Sequence, residues 1–394
     1  MKKNQCISLV FVSVLVLSSF LSLVISAQPD KYDALELFDL SKNMGDPYEY
    51  HTYDSMTMLL QNIALNHSDI ILLESIGITY EGRNIWAITL SDQPTLDEGE
   101  PAVLLMGAHH GNEKPTYESL IFFIEFVAEI YGKEDFDNDE DGLINEDDFD
   151  GVDNDDDGLL DEDPSEERIQ FLVDHTKILI LPMVNPDGVE YEWRKNHAPN
   201  YGPFGQNNEI TSYGVDLNRN YDYRWNLPFI LPFNYMLPFI MNDESWNYRG
   251  EHAFSENETI AVRDFVLSHP SIKISLSYHT YSELIMFPWT HTSLPTPDED
   301  LFISIGENMS KINKYRMLVH GWANRTYLIP RFAGTIGTSE NWLYGAQGIL
   351  AYTMELCKTR APNDPLEVYD CFYKHVGVNL YVSERALNVD VERG

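Results

Sequence analysis

The chain has 394 residues, 43% of them hydrophobic, enough for one large domain or two small ones with a sizeable core. Its formal net charge is −37. Such a chain is repelled by nucleic acid, which excludes that class of partner. The charge is uneven: residues 134–163 carry 17 acidic side chains and no Lys or Arg, so that segment needs its own explanation.

Residues 1–27 read as a targeting segment. Lys2 and Lys3 give a positive start, residues 7–25 are apolar, and Ser26-Ala27 offers a small-residue cleavage site. Secretion is the expectation; the alternative is membrane anchoring by an uncleaved signal, since the apolar run is nearly long enough to span. Cys6 leaves with the signal. Cys357 and Cys371 remain, with two readings open, a disulfide or two buried thiols. Sequons at Asn66, Asn257, Asn308 and Asn324 permit glycosylation in a competent host.

Residues 28–47 form a polar lead-in. Met56, Leu59, Leu60, Ile63 and Ala64 have helical spacing within 53–66. Residues 70–76 and 85–90 read as strands joined by a turn at Glu81-Gly82-Arg83. The run AVLLM at 102–106 reads as a buried strand, and 117–130 as a helix. Between them lies Gly107-Ala108-His109-His110-Gly111-Asn112-Glu113. An imidazole and a carboxylate three residues apart share one face of such a turn. Catalytic zinc takes His nitrogen and carboxylate oxygen, with three protein ligands and one open position. His110 and Glu113 would supply two of those ligands. His-x-x-Glu alone occurs by chance, so the third ligand must be found elsewhere.

In the acidic segment, Asp137-x-Asp139-x-Asp141-Gly142 recurs sixteen residues later as Asp153-x-Asp155-x-Asp157-Gly158. Alternating Asp with Gly at the sixth position gathers hard oxygen ligands for calcium around a sharp bend. Leu143-Ile144 and Leu159-Leu160 follow the two glycines, which weighs against a merely solvated tract. The twelfth position holds Asp148 in one copy and Pro164 in the other, so these resemble short extracellular calcium repeats more than full EF-hands.

Residues 178–184 read as a further strand, ending in the turn Asn185-Pro186-Asp187-Gly188. Trp193-Arg194-Lys195 and Asp216-x-Asn218-Arg219-Asn220 follow. Leu-Pro-Phe occurs three times within 227–241, a proline density that forbids helix or central strand; packing on the body is preferred there over contact with lipid. Ser255 reads as an N-cap with Glu258 completing a capping box, and the helix runs on to 267. A strand at 272–276 precedes His279 and Tyr281. A helix at 298–314, a loop at 334–342, a strand at 350–356 carrying Glu355, and a helix at 366–380 complete the chain. Strands alternate with helices, predicting an α/β fold with a mixed, mostly parallel sheet covered by helices on both faces. The polar patches sit at strand ends, where such sheets place their sites.

In order, His110-x-x-Glu113, Trp193-Arg194-Lys195, Asp216-x-Asn218-Arg219-Asn220, Ser255-Glu256, His279-x-Tyr281 and Glu355 closely resemble the zinc carboxypeptidase family, the metallocarboxypeptidases related to carboxypeptidases A, B and T. The resemblance spans about residues 50–360, and the ordered set is far more specific than any one patch. Together with the residue readings above, the expected organisation is a signal peptide at 1–27 and a catalytic domain at 28–394, with the acidic insert at 135–163 within it. The resemblance further implies zinc on His110, Glu113 and His279, Glu355 as general base, Arg194 on the oxyanion, and Asn218 with Arg219 on the substrate's terminal carboxylate. Asp216 would orient a zinc-binding His, and Tyr281 would line the cleft. Glu340, two residues before Trp342, falls where the family sets its side-chain preference, and suits basic C-terminal residues. Expected partners are peptides or proteins as substrates, with no stable protein partner.

Two departures stand out. The family's mobile Tyr falls at Ala333 here, beside Phe332, and Tyr327 is the nearest substitute. Gly111-Asn112 replace an Arg common in digestive members. The lead-in before residue 50 is too short for the family's folded pro-domain, so a blocked zymogen is not expected. The rival readings are an amidase acting on cell-wall peptides with the same metal site, and a non-catalytic, calcium-dependent surface binding protein. His109, His175, His197 and His320 are read as structural or exposed.

Overall fold

The computed structural model describes residues 47–133, 166–202, 207–226, 241–292, 294–318 and 335–390. The targeting segment, the acidic insert with its six repeat aspartates, residues 227–240 of the Leu-Pro-Phe loop, Asn324, Tyr327, Phe332 and Ala333 lie outside them.

The centre is a mixed eight-stranded sheet. Its strands are β1 (Ile71–Ile78), β2 (Asn84–Leu90), β3 (Ala102–Met106), β4 (Lys177–Leu181), β7 (Ile272–Thr280), β8 (Leu284–Met286), β9 (Arg316–Leu318) and β10 (Leu350–Leu356), in the order β1-β2-β4-β3-β7-β10-β8-β9. The central run β4-β3-β7-β10 is parallel. Nearly every residue of these strands is buried, as in strands covered on both faces, and β3 is apolar throughout. The antiparallel β1 shows the opposite pattern, with exposed positions at Glu74 and Ser75. A two-residue ribbon, β5 (Pro199–Asn200) with β6 (Ser212–Tyr213), stands apart from the sheet.

Successive side chains of a strand point to opposite faces. Leu104, Met106, Leu179 and Leu181 pack in one cluster with Leu217, Tyr221, Val262, Phe265, Trp342 and Leu343. Val262 and Phe265 belong to helix α5 (Asn257–Ser268), and Trp342 and Leu343 to α7 (Ser339–Gln347). Helices α2 (Pro115–Ile130) and α8 (Pro365–Ala386) pack on each other and against β3 and β7, covering the other face. The remaining helices are α1 (Tyr53–Asn66), α3 (Glu166–His175), the short α4 (Pro186–Glu190) and α6 (Glu299–Asn313).

Three local expectations change. Helix α5 starts at Asn257 with Glu256 as N-cap, because the Ser255 hydroxyl is already engaged by Asn220 Nδ2 (2.8 Å) and Glu256 Oε1 (2.6 Å). Asn220 Oδ1 instead accepts the Glu256 N–H (3.3 Å). The loop predicted at 334–342 turns helical at Ser339. The strand predicted at 272–276 continues to Thr280 and carries His279 within it. Cys357 and Cys371 are both buried and unlinked.

Candidate active site

All the site residues converge where the parallel strands end. β3 stops at Met106, and the turn into α2 is held by backbone and hydroxyl bonds. Gly107 N–H donates to Leu181 O (2.9 Å), Ala108 N–H donates to Thr116 Oγ1 (2.9 Å), and that hydroxyl donates to Glu113 O (2.6 Å). Gly111 has a steric reason to lie between the two acid-base residues: a Cβ there would sit 2.0 Å from the Gly188 carbonyl carbon.

His110, Glu113 and His279 form a buried triangle. Glu113 Oε1 lies 2.9 Å from His110 Nδ1, Glu113 Oε2 lies 3.0 Å from His279 Nδ1, and the two Nδ1 atoms are 3.1 Å apart. Zinc bonds of about 2.0–2.2 Å at tetrahedral angles place their donors a little over ~3 Å apart. The donor set and its spacing therefore fit zinc. Among the described residues one other acidic group, Asp92 with Glu98 and Glu100, has metal-like spacing, but it lacks His and is partly exposed.

The partners behind the triangle aim its donors. His110 Nε2 is 3.0 Å from Asp216 Oδ1, which fixes the ring and turns Nδ1 toward the site. Asp216 Oδ2 accepts from Arg194 Nε (3.0 Å) and Nη2 (2.9 Å), while Arg194 Nη1 borders the triangle, 3.2 Å from His110 Nδ1. Asn218 lies on a single 3₁₀ turn, Leu217–Arg219. Its Oδ1 accepts the Ser339 N–H (2.8 Å), and its Nδ2 lies 3.1 Å from His279 Nε2. Gly337 backs this turn: at its φ of +69° it approaches Arg219 so closely that a Cβ would lie 2.1 Å from the Arg219 carbonyl oxygen.

Burial raises a carboxyl pKa, and here the neighbours reverse that. His110 and His279 hold Glu113 well below the usual carboxylate range, and Arg194, Arg219 and His110 do the same for Asp216. Burial lowers Arg219 and His279, while Asp216 leads the charges that raise Arg194 despite burial. Glu355 pairs in register with His279 across β10 and β7, so its carboxyl lies beside the triangle. Burial and the neighbouring Glu113 push it up to about 8.

A cavity of about 200 Å³ joins these groups: His110, Glu113, Arg194, Arg219, His279 and Glu355 line it with Asn218 and Glu340. Beyond them it reaches Met286, Phe287, Thr290, Thr335, Thr338 and Thr353. Glu340 is only 3% exposed; burial raises its pKa, and its Oε2 has no hydrogen-bond partner among the described residues. Tyr281 differs from expectation. It is 47% exposed beyond His279 and is not among the residues lining the cavity. Arg360 does line it, although nothing in its local sequence marks it. The five threonines, counting Thr280, are equally silent, because they come from four separate stretches that only the tertiary fold brings together. His109, adjacent to the triangle in sequence, turns away from it and binds the Tyr221 hydroxyl (2.8 Å).

A family model described as zinc carboxypeptidase matches residues 56–373. A zinc carboxypeptidase of Saccharothrix mutabilis subsp. capreolus is 28% identical over 322 residues, 78% of this chain and 62% of that protein, so the chain spans less than two thirds of this relative's length. Carboxypeptidase B of Astacus astacus is 26% identical over 326 residues, 79% of this chain and 87% of that protein. The crystal structure of carboxypeptidase A from Helicoverpa armigera shares the fold, with a TM-score of 0.64 at 19% identity, over 87% of this chain and 75% of that one. With this sheet, this triangle and a match over most of its length, the chain belongs to the zinc carboxypeptidase family, whose members are metallocarboxypeptidase hydrolases.

Proposed function

We propose that the protein is an exported, zinc-dependent carboxypeptidase that hydrolyses the last peptide bond of its substrates. The observation that carries this reading is a single cavity lined by a metal-type triangle, by the Glu355 carboxyl beside it, and by Arg194, Arg219 and Arg360. His110, Glu113 and His279 hold the ion. When bound, zinc acts as a Lewis acid and lowers the pKa of its water toward about 7.

The chain's own groups do the rest. Glu355 takes the proton of the attacking water and delivers it to the leaving amine. It is placed for both halves of that transfer, because it pairs in register with His279 and its carboxyl lies beside the triangle. Arg194 is clamped by two bonds to Asp216, so its Nη1 is fixed beside the triangle, where negative charge develops on the carbonyl oxygen. Arg219 meets the terminal carboxylate with its planar fork, and Asn218, on the same turn, offers its amide to the same anion. Glu340, buried with a free oxygen on the cavity wall, favours a Lys or Arg side chain at the C-terminus. The non-catalytic reading has no support in the site, where all three ligands and Glu355 are in place.

Glu355→Gln is expected to keep one zinc per chain while turnover on N-blocked dipeptides falls by about 10²–10⁴-fold or more. His110→Ala is expected to lose the zinc itself. Near-normal turnover in a zinc-loaded Glu355→Gln protein would overturn the mechanism.

Residues 1–27 supply the export signal in this reading. The insert at 135–163 binds calcium through Asp137, Asp139, Asp141, Asp153, Asp155 and Asp157, a reading that rests on the sequence repeat alone. Calorimetric titration of the zinc-loaded protein with calcium tests it: heat and a rise in melting temperature are expected at millimolar calcium, and neither would appear if the tract is only solvated.

A further inference from the structure

The site lies across the ends of the sheet, with different groups on its two sides. Asn218 and Arg219 sit on the side of α5 and α7: Leu217 packs with Val262 and Trp342, and Ser339 N–H holds Asn218. Arg360 sits on the other side. It lies in the loop from β10 to α8, and that loop is tied to the α2 face. Tyr50 donates to Pro362 O (2.5 Å), Tyr48 N–H to Asn363 O (2.9 Å), and the Tyr48 hydroxyl to Glu118 of α2 (3.1 Å). The Arg360 carbonyl accepts from the Thr280 hydroxyl (2.9 Å), and Thr280 N–H donates to Glu113 Oε2 (3.2 Å). Two hydrogen bonds therefore fix the Arg360 backbone to the triangle.

This places the substrate. With its terminal carboxylate on Arg219, a peptide crosses the triangle and leaves toward the α2–α8 side, past Arg360. The cavity's other two arginines are committed elsewhere: Arg194 is paired with Asp216, and Arg219 is buried and donates to Asn218 O. Arg360 and its neighbour Lys358 are exposed, and neither forms an ion pair among the described residues. An exposed arginine on the cavity wall, without an ion pair among the described residues, stands out in a chain of net charge −37.

We propose that Arg360 is a specificity-determining residue that selects an acidic side chain one or two residues ahead of the scissile bond. The proposal rests on the carboxypeptidase reading for the direction of the peptide. An exposed charge pair is worth about 0.2–1 kcal/mol, or up to about fivefold in affinity. The effect belongs in KM, because Arg360 does not touch the reacting bond.

The test uses N-acetylated tripeptides that carry Glu or Gln at either of the two positions ahead of the scissile bond. All end in the C-terminal residue that the zinc-loaded enzyme cleaves best. The expected kcat/KM ratio of Glu to Gln is about two- to fivefold at one position or both, carried by KM. It should fall to about one in Arg360→Gln, invert in Arg360→Glu, and survive in Arg360→Lys. A wild-type ratio of one at both positions, or a ratio unchanged in Arg360→Gln, overturns the proposal. If a variant fails to fold, the ratio in Arg360→Lys against wild type at rising salt decides, since a charge preference fades with screening and a shape preference does not. Should the wild type cleave none of the peptides, the peptidase reading fails separately. Titration of the same peptides into zinc-loaded Glu355→Gln protein then reads the Glu preference as a ratio of Kd.

Discussion

Two groups of buried acids in this molecule titrate in opposite directions. Glu113 and Asp216 are 4% and 0% exposed and are held well below the usual carboxylate range. Glu256 and Glu258 are 8% and 1% exposed and are raised, Glu258 to about 8. Burial raises all four, so burial does not separate them. Their company does. Glu113 and Asp216 face Arg194 and two histidines, whereas Glu256 and Glu258 share one neutral amide, Asn196 Nδ2, at 2.8 and 3.1 Å, and repel each other. The first pair is built to stay charged beside cations; in the second, Glu258 is pushed up to about 8. Glu340 and Glu355 fall between, raised by burial yet within reach of arginines.

The largest effect expected in this comparison comes from neutralising the charged group. Asp216→Asn keeps an oxygen for His110 Nε2 but removes the charge that balances Arg194. Zinc affinity, read by competition with a chelator, should fall about 10–100-fold, with kcat/KM falling at least as far. Unchanged affinity and activity would mean that the Asp216 charge does not organise the site.

Glu340 gives a smaller and more selective effect. If its free oxygen awaits a substrate cation, Glu340→Gln should reduce the preference for C-terminal Lys over Phe by about tenfold, the scale of one buried charged hydrogen bond. An unchanged Lys-to-Phe ratio would place Glu340 with the acids that are merely protonated.

Much of this site is legible in the sequence because its chemistry is local. His110 and Glu113 lie on one turn, at the end of a strand whose apolar run is unmistakable, and Asp216, Asn218 and Arg219 lie together on another. The sheet's central strands could be read for the same reason. What could not be read depends on side chains meeting from distant segments. Ser255 looks like an N-cap until Asn220, 35 residues away, claims its hydroxyl. Arg360 is an ordinary exposed arginine until Thr280, 80 residues earlier, pulls its carbonyl to the triangle. Tyr281, expected from the resemblance to line the cleft, is about half exposed and does not line the cavity.

The remaining effect belongs to the neutral pair and is read in stability, leaving activity untouched. Folded Glu258 keeps its proton until about pH 8, while the unfolded chain releases it near the ordinary value of 4.5. Between those limits the folded state binds more protons, so its stability falls as pH rises through the window, by up to about 1.4 kcal/mol per pH unit. Below about 4.5 both states are protonated and this contribution is flat. Glu258→Gln imitates the protonated acid, and its amide oxygen can still accept from Asn196. The variant should match the wild type near pH 4.5 and exceed it at pH 8, by about 2–4 °C in melting temperature for each kcal/mol gained. Scanning calorimetry of both zinc-loaded proteins from pH 5 to 8 measures the difference, which cancels the other titrating groups. A difference that stays constant with pH, or a variant less stable than wild type at pH 8, would show that Glu258 is charged in the folded protein and that the contrast with Glu113 and Asp216 does not hold.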